Sequence, residues 1–146
     1  FIGGTVRTFT LDVLDLIERR IREISHSIAS AFDCQADITF SRSYPPLINH
    51  AKEVEFASEV MSELVGKQNV NTSIDPTMGA EDFAFMLLKK PGCYVFLGNG
   101  DGDHRAAGHG MGPCHLHNPS YDFNDALIPI GVSYWVKLAQ RYLEQN

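Results

Sequence analysis

Surplus positive charge is missing from this chain. Twelve lysines and arginines stand against eighteen aspartates and glutamates, a net charge of −6. Nucleic acids and anionic membranes both demand a basic surface, so neither is an expected partner. Long apolar runs are missing too. None approaches the roughly 20 residues needed to cross a bilayer, and no charged-then-apolar signal segment opens the sequence. Cysteine is scarce: Cys34, Cys93 and Cys114 are odd in number and far apart. That is not the spacing of a secreted disulfide framework, and a reducing cytoplasm is the expected compartment. There is no GxSxG elbow and no phosphate-binding loop. The stretch Gly98–Asp103 is rich in oxygen donors, but it lacks the bidentate glutamate of a calcium loop.

What is present suits a folded chain. Hydrophobic residues make up 44% and charged residues 21% of 146 residues. This is enough for one ordinary domain or for pieces of two small ones. Phe1 is not a methionine, and FIGGTVRTFT reads as the middle of a strand, so a fragment of a longer chain is expected.

Periodicity places the elements. Residues 2–9 are β-branched and aromatic and read as a strand. Thr10 is a candidate N-cap, with Asp12 in the first turn where the helix dipole favours negative charge. Leu14, Ile17, Ile21, Ile24, Ile28 and Ala31 then form one apolar stripe of a long helix. Glu18, Arg19, Arg20, Arg22 and Glu23 fill the opposite face, expected to be solvated. Residues 36–43 alternate as a half-buried strand does, and Tyr44-Pro45-Pro46 stiffens the backbone at a candidate domain boundary. A second helix is expected over 50–66, ending near Gly66. Residues 69–74 suggest a short strand, 79–88 a short helix, 94–97 a buried strand and 124–143 a last helix with Pro129 in its first turn. The fold class read from this order is α/β.

The segment HRAAGHGMGPCHLHNPSYDFND, residues 104–125, carries the densest chemistry. Imidazole is the commonest metal ligand among side chains, and the Asn-Pro after His117 restricts the backbone there, as suits a ligand. His115 and His117 would share one side of an extended chain. His104 and His109 read equally as solvated loop residues, and Cys114 as a zinc ligand or a small packed side chain. Glu81 and Asp82 precede an apolar helix; they read either as helix-start acids or as groups facing a substrate. Asp122 and Asp125 suit residues that cap and orient the turn into the last helix, and Asp122 also suits a hydrogen bond to a liganding histidine.

Four separated motifs now agree: GTVRTF before a long helix, YPP with a following asparagine, MGAEDFA, and GHGMGPCHLHNPSYDFND. In this order they resemble the aminoacylase/carboxypeptidase-type metallohydrolases, in particular their hippurate hydrolase and N-acyl-amino-acid amidohydrolase branch. The resemblance implies a catalytic α/β domain with two divalent metal ions (zinc, manganese, cobalt or nickel), interrupted by a small αβ lid that mediates homodimerisation. It implies that residues 1–46 are the second half of that lid and residues 47–146 the C-terminal part of the catalytic domain. It places the family's late metal histidine at His117 and puts Glu81 and Asp82 on the cleft wall. The family's other ligands and its general-base glutamate precede the lid and have no counterpart here. The expected activity is therefore hydrolysis of the amide bond of a small N-acyl amino acid by the parent protein, with this chain holding part of the site. The alternative is a non-catalytic fragment that self-associates through a strand edge and an apolar helix stripe. A further option is an adventitious metal binder using His104, His109, His115 and His117.

Overall fold

The computed structural model describes residues 1–100, 116–119 and 121–144. Its helices are α1 (Leu11–Ala31), α2 (Ala51–Val65), α3 (Phe83–Leu87) and α4 (Ile128–Glu144), with short 3-10 turns at Lys67–Asn69 and Asp125–Leu127. Two compact units are formed, one from Phe1–Ala51 with Ser73–Cys93, the other from Lys52–Thr72 with Tyr94–Asn146.

In the first unit, α1 starts where its cap predicts. Thr10 is extended, and its Oγ1 accepts the Val13 N–H at 3.3 Å. Leu14, Ile17 and Ile21 are half-buried as expected, but the covered face continues through Ser25 and Ala29. Ile24 and Ile28 stand exposed instead. The charged face is more than a solvated surface. Glu18 accepts from Arg22 Nη2 at 2.8 Å and from Arg42 Nη2 at 2.7 Å, while Arg42 Nη1 meets Asp15 at 2.6 Å. Arg22 also donates to the Ile38 carbonyl at 3.1 Å. These arginines strap the segment after the helix back onto α1.

That segment shows why the strand expectation went only halfway. Ala36, Ile38 and Phe40 are half-buried while Asp37 and Thr39 are exposed, so the period of two is real. Yet no strand is assigned among the described residues: not over 2–9, 36–43, 69–74 or 94–97. Alternation selects a face, but a strand also needs a neighbouring backbone to complete its ladder. The Ile38 carbonyl meets a guanidinium instead. Residues 69–74 begin within a 3-10 turn, where Asn69 Nδ2 donates to the Val65 carbonyl at 2.7 Å.

The helix expected over 79–88 contracts to α3, five residues long. It buries Ala84 and Leu87 on one face. The Tyr44 ring lies 5.8 Å from that of Phe85, so Tyr44 rests on this helix. His50 and Gly92 close the region: the His50 N–H donates to the Gly92 carbonyl at 3.1 Å, and the Gly92 N–H donates to His50 Nδ1 at 3.2 Å. A Cβ at Gly92 would come within 2.8 Å of Leu87 Cδ2.

In the second unit, α2 buries Ala57 and Val60, one turn apart on a single face. It stops at Gly66, whose φ of 84° and ψ of 141° lie where side chains are strained. Gly66→Ala is expected to lower stability by about 1–2 kcal/mol, read as a drop in melting temperature. Gln68, whose amide would lie 2.6 Å from the new Cβ, must swing away as well. Glu63 accepts from Lys137 Nζ at 2.7 Å and lies 3.4 Å from Arg141 Nη2, which ties α2 to α4. Gly131 of α4 admits Leu97, whose Cδ2 stands 3.8 Å from the place a Cβ would take. Pro129 falls in the first turn of α4, as expected.

Two carboxylates carry a pH dependence. Hydrogen bonds from Arg22 and then Arg42 hold Glu18 below the ordinary glutamate range, and one from Lys137 does the same for Glu63. The folded form binds these protons less readily than the unfolded chain. Their stabilisation is therefore complete above about pH 4.3, the unfolded value, and fades as the pH falls through the lowered folded values. Melting temperature is expected to fall on acidification below that point, and a Glu18→Gln, Glu63→Gln double variant should show a shallower acid limb. Identical acid limbs would exclude these two groups.

Candidate functional site

His117 immediately precedes a hydrogen-bonded turn. The Tyr121 N–H donates to the Asn118 carbonyl at 2.9 Å, and Pro119 takes the second position, which its fixed φ favours. His117 itself has a φ of 71°, in the left-handed region that costs an L-residue roughly 1–2 kcal/mol. The residue is exposed. A histidine held in a disfavoured conformation and open to solvent is an outlier from which a role can be inferred. His104, His109, His115 and Cys114 lie outside the described residues.

Glu81 and Asp82 lie in the first unit, at the start of α3. Glu81 Oε1 accepts the Phe83 N–H at 3.4 Å, a long bond that engages one orphan donor of the helix start. Asp82 occupies the N-cap position, but its side chain makes no capping bond. His117 belongs to the second unit. Asp122 and Asp125 are not the caps expected. Asn124 is: its Oδ1 accepts the Ala126 N–H at 3.1 Å.

The residues missed in the sequence are Asn99 and Asn124. Asn99 Oδ1 accepts the Asn124 N–H at 2.9 Å, and Asn99 Nδ2 donates to the Asp122 carbonyl at 3.0 Å. Asn124 Nδ2 returns a bond to the Asn99 carbonyl at 3.2 Å. The available signal was an asparagine just before a helical apolar pattern, a preferred N-cap; nothing local announced its partner 25 residues earlier.

Elsewhere, an open groove of about 450 Å³ lies along α1 between Asp15, Glu18 and Glu23 on one side of the charge balance and Arg19, Arg22 and Arg42 on the other. Each of these arginines already faces a carboxylate, so the groove offers no spare charge for an anion. Among the described residues no group of three or more His, Cys, Asp or Glu side chains is placed to hold a metal ion. A catalytic centre takes about three protein ligands, so the described residues do not fit a complete one. Among the described residues no helix is long and apolar enough to cross a membrane.

Comparison with known proteins supplies the wider frame. The model of Peptidase family M20/M25/M40 matches residues 5–141. Hippurate hydrolase of Campylobacter jejuni is 36% identical over 143 residues, covering 98% of this chain and 34% of the relative. IAA-amino acid hydrolase ILR1-like 4 of Arabidopsis thaliana is 30% identical, covering 97% and 32%, respectively. N-acetyldiaminopimelate deacetylase of Lacticaseibacillus casei is 32% identical, covering 99% and 35%. The chain thus spans about a third of the length of these curated relatives. No solved structure gives a significant match. With a family match running through nearly every element described above, the chain belongs to Peptidase family M20/M25/M40.

Proposed function

We propose that the full protein hydrolyses the amide bond of a small N-acyl amino acid and that this chain contributes His117 as one ligand of a centre of two divalent ions, zinc, manganese, cobalt or nickel. Glu81 and Asp82 line the substrate cleft in this reading. The carrying observation is the family match over residues 5–141, which takes in the four motifs from Thr5 onward. The relatives' names support the substrate class: hippurate is benzoylglycine, and the others are an amino-acid conjugate hydrolase and an N-acetyl deacetylase. The exposed side chain of His117, on a backbone of positive φ just before a proline-containing turn, suits a ligand. Histidine alone does not choose among these metals.

The same reading makes residues 1–46 the second half of a lid through which the protein homodimerises, with 2–9 and 36–43 as its strands, and residues 47–146 the C-terminal part of an α/β catalytic domain, with 94–97 as one of its strands. Exposed Leu11, Leu16, Ile24 and Ile28 on α1 favour a second reading, a non-catalytic chain that self-associates.

Hydrolysis of hippurate and of N-acetyl amino acids, with metal analysis, separates the two. The full protein is expected to release the free amino acid and to carry about two metal ions per chain. The 146-residue chain alone is expected to do neither. Turnover by that chain would overturn the incomplete-site reading, and a full protein inert toward every N-acyl amino acid would overturn the activity.

A further inference from the structure

We infer that Asn99 is a positioning residue for His117, pinning the turn that follows the imidazole to the start of α4. The inference rests on His117 being a metal ligand, as proposed above.

The path from His117 to the helix is short. Four residues separate His117 from Asp122, and they include the turn closed by the 2.9 Å bond from Tyr121 to Asn118. The Tyr121 and Phe123 rings then meet edge to face at 4.9 Å, an arrangement that adds cohesion beyond burial. The pin follows at once. Asn99 accepts from the Asn124 N–H and donates to the Asp122 carbonyl, the two backbone groups that flank Phe123 on one edge of the chain. This is how a neighbouring strand would bond, one donor and one acceptor on alternate residues. Only a side chain that both donates and accepts does this, which selects an amide over a carboxylate or a hydrocarbon.

Asn99 is itself held. Its carbonyl accepts from Asn124 Nδ2 at 3.2 Å, and Leu97, two residues earlier, rests near Gly131 of α4. Asn124 also caps the 3-10 turn leading into α4. The anchor is therefore tied to the helix from both sides. Loss of this pin removes two of the hydrogen bonds that hold the chain between His117 and α4, and each added residue of slack widens the positions open to the imidazole.

The test measures zinc affinity of the full protein, by competition with a chelator, alongside hydrogen exchange of the Asn124 amide. Asn99→Ala is expected to speed that exchange and to weaken zinc binding about tenfold or more, as loss of an orienting partner does. Asn99→Asp keeps the acceptor for the Asn124 N–H and loses the donor; it should retain slow exchange and fall between wild type and Asn99→Ala in affinity. It also serves if the alanine variant fails to fold. Unchanged zinc affinity in both Asn99 variants, beside a loss in His117→Ala, overturns the inference and leaves the proposed function standing. Unchanged affinity in His117→Ala removes the ligand reading and the inference with it.

Discussion

On the ligand role and amidohydrolase activity proposed above, His117→Ala in the full protein is expected to lower kcat/KM for hippurate at least about 100-fold and to reduce bound metal. Loss of a group that merely orients a ligand typically costs 10–100-fold, and loss of the ligand itself costs more. The left-handed backbone makes glycine the informative second substitution. At a φ of 71° alanine keeps the steric penalty that histidine bears, whereas glycine escapes it. Relief of roughly 1–2 kcal/mol is partly offset by the extra freedom glycine has when unfolded. His117→Gly is therefore expected to be about 0.5–1 kcal/mol more stable than His117→Ala while losing activity to the same degree. Thermal melts and initial rates check both halves. Near-wild-type activity in either variant would show that the imidazole does no essential work, and recovered activity in the glycine variant alone would shift the role from the ring to the backbone.

How much of this was readable in the residues divides along a physical line. Information carried within one turn was legible. Thr10 caps α1 by accepting from Val13, Gly66 ends α2 with a positive φ, and Pro119 follows Asn118 into a turn. Each depends on groups two to four residues apart, where the chain itself enforces proximity. Information carried between distant segments was not. Glu18 looked like one more solvated acid on a helix face, until Arg42, 24 residues on, closed on it. Asn124 was passed over as a cap in favour of its aspartate neighbours because its second partner, Asn99, is remote in sequence.

The strands fall between these cases. Ala36, Ile38 and Phe40 display the period from which a strand was read, but pairing is a property of two segments, and the described residues provide no ladder. The exposed apolar faces point the same way. Trp135 and Val132 on α4 and Ile24 and Ile28 on α1 are each close to half exposed or more. Amphipathic periodicity announces that a face is to be covered; it does not name what covers it.

Val60→Asp is the stability change with the largest expected effect, about 4 kcal/mol. Val60 has 0% of its surface exposed, so a carboxylate there would lose its hydration. Val60→Ala supplies the scale for packing alone: removal of two carbons and the cavity left behind cost about 2 kcal/mol. The remainder is charge, and pH exposes it. Burial would raise the folded-state pKa of the new carboxyl above its unfolded value of about 3.9. Its charge penalty is then full above the raised value and disappears as the pH falls below the unfolded one. This is opposite in sign to the behaviour of Glu18 and Glu63, whose support is lost as the pH falls below their unfolded value. The Val60→Asp and Val60→Asn variants should therefore differ at neutral pH and converge in acid. The consequence reaches the candidate site through the helices. Glu63, three residues beyond Val60, holds Lys137 and Arg141 of α4, and the start of α4 is where Asn124 and Asn99 fasten the chain coming from His117. Melting α2 removes one support of that anchor, so activity is expected to fall with the melting curve of Val60→Asp. Equal stability of Val60→Asp and Val60→Ala at neutral pH would mean that this face of α2 is not an interior.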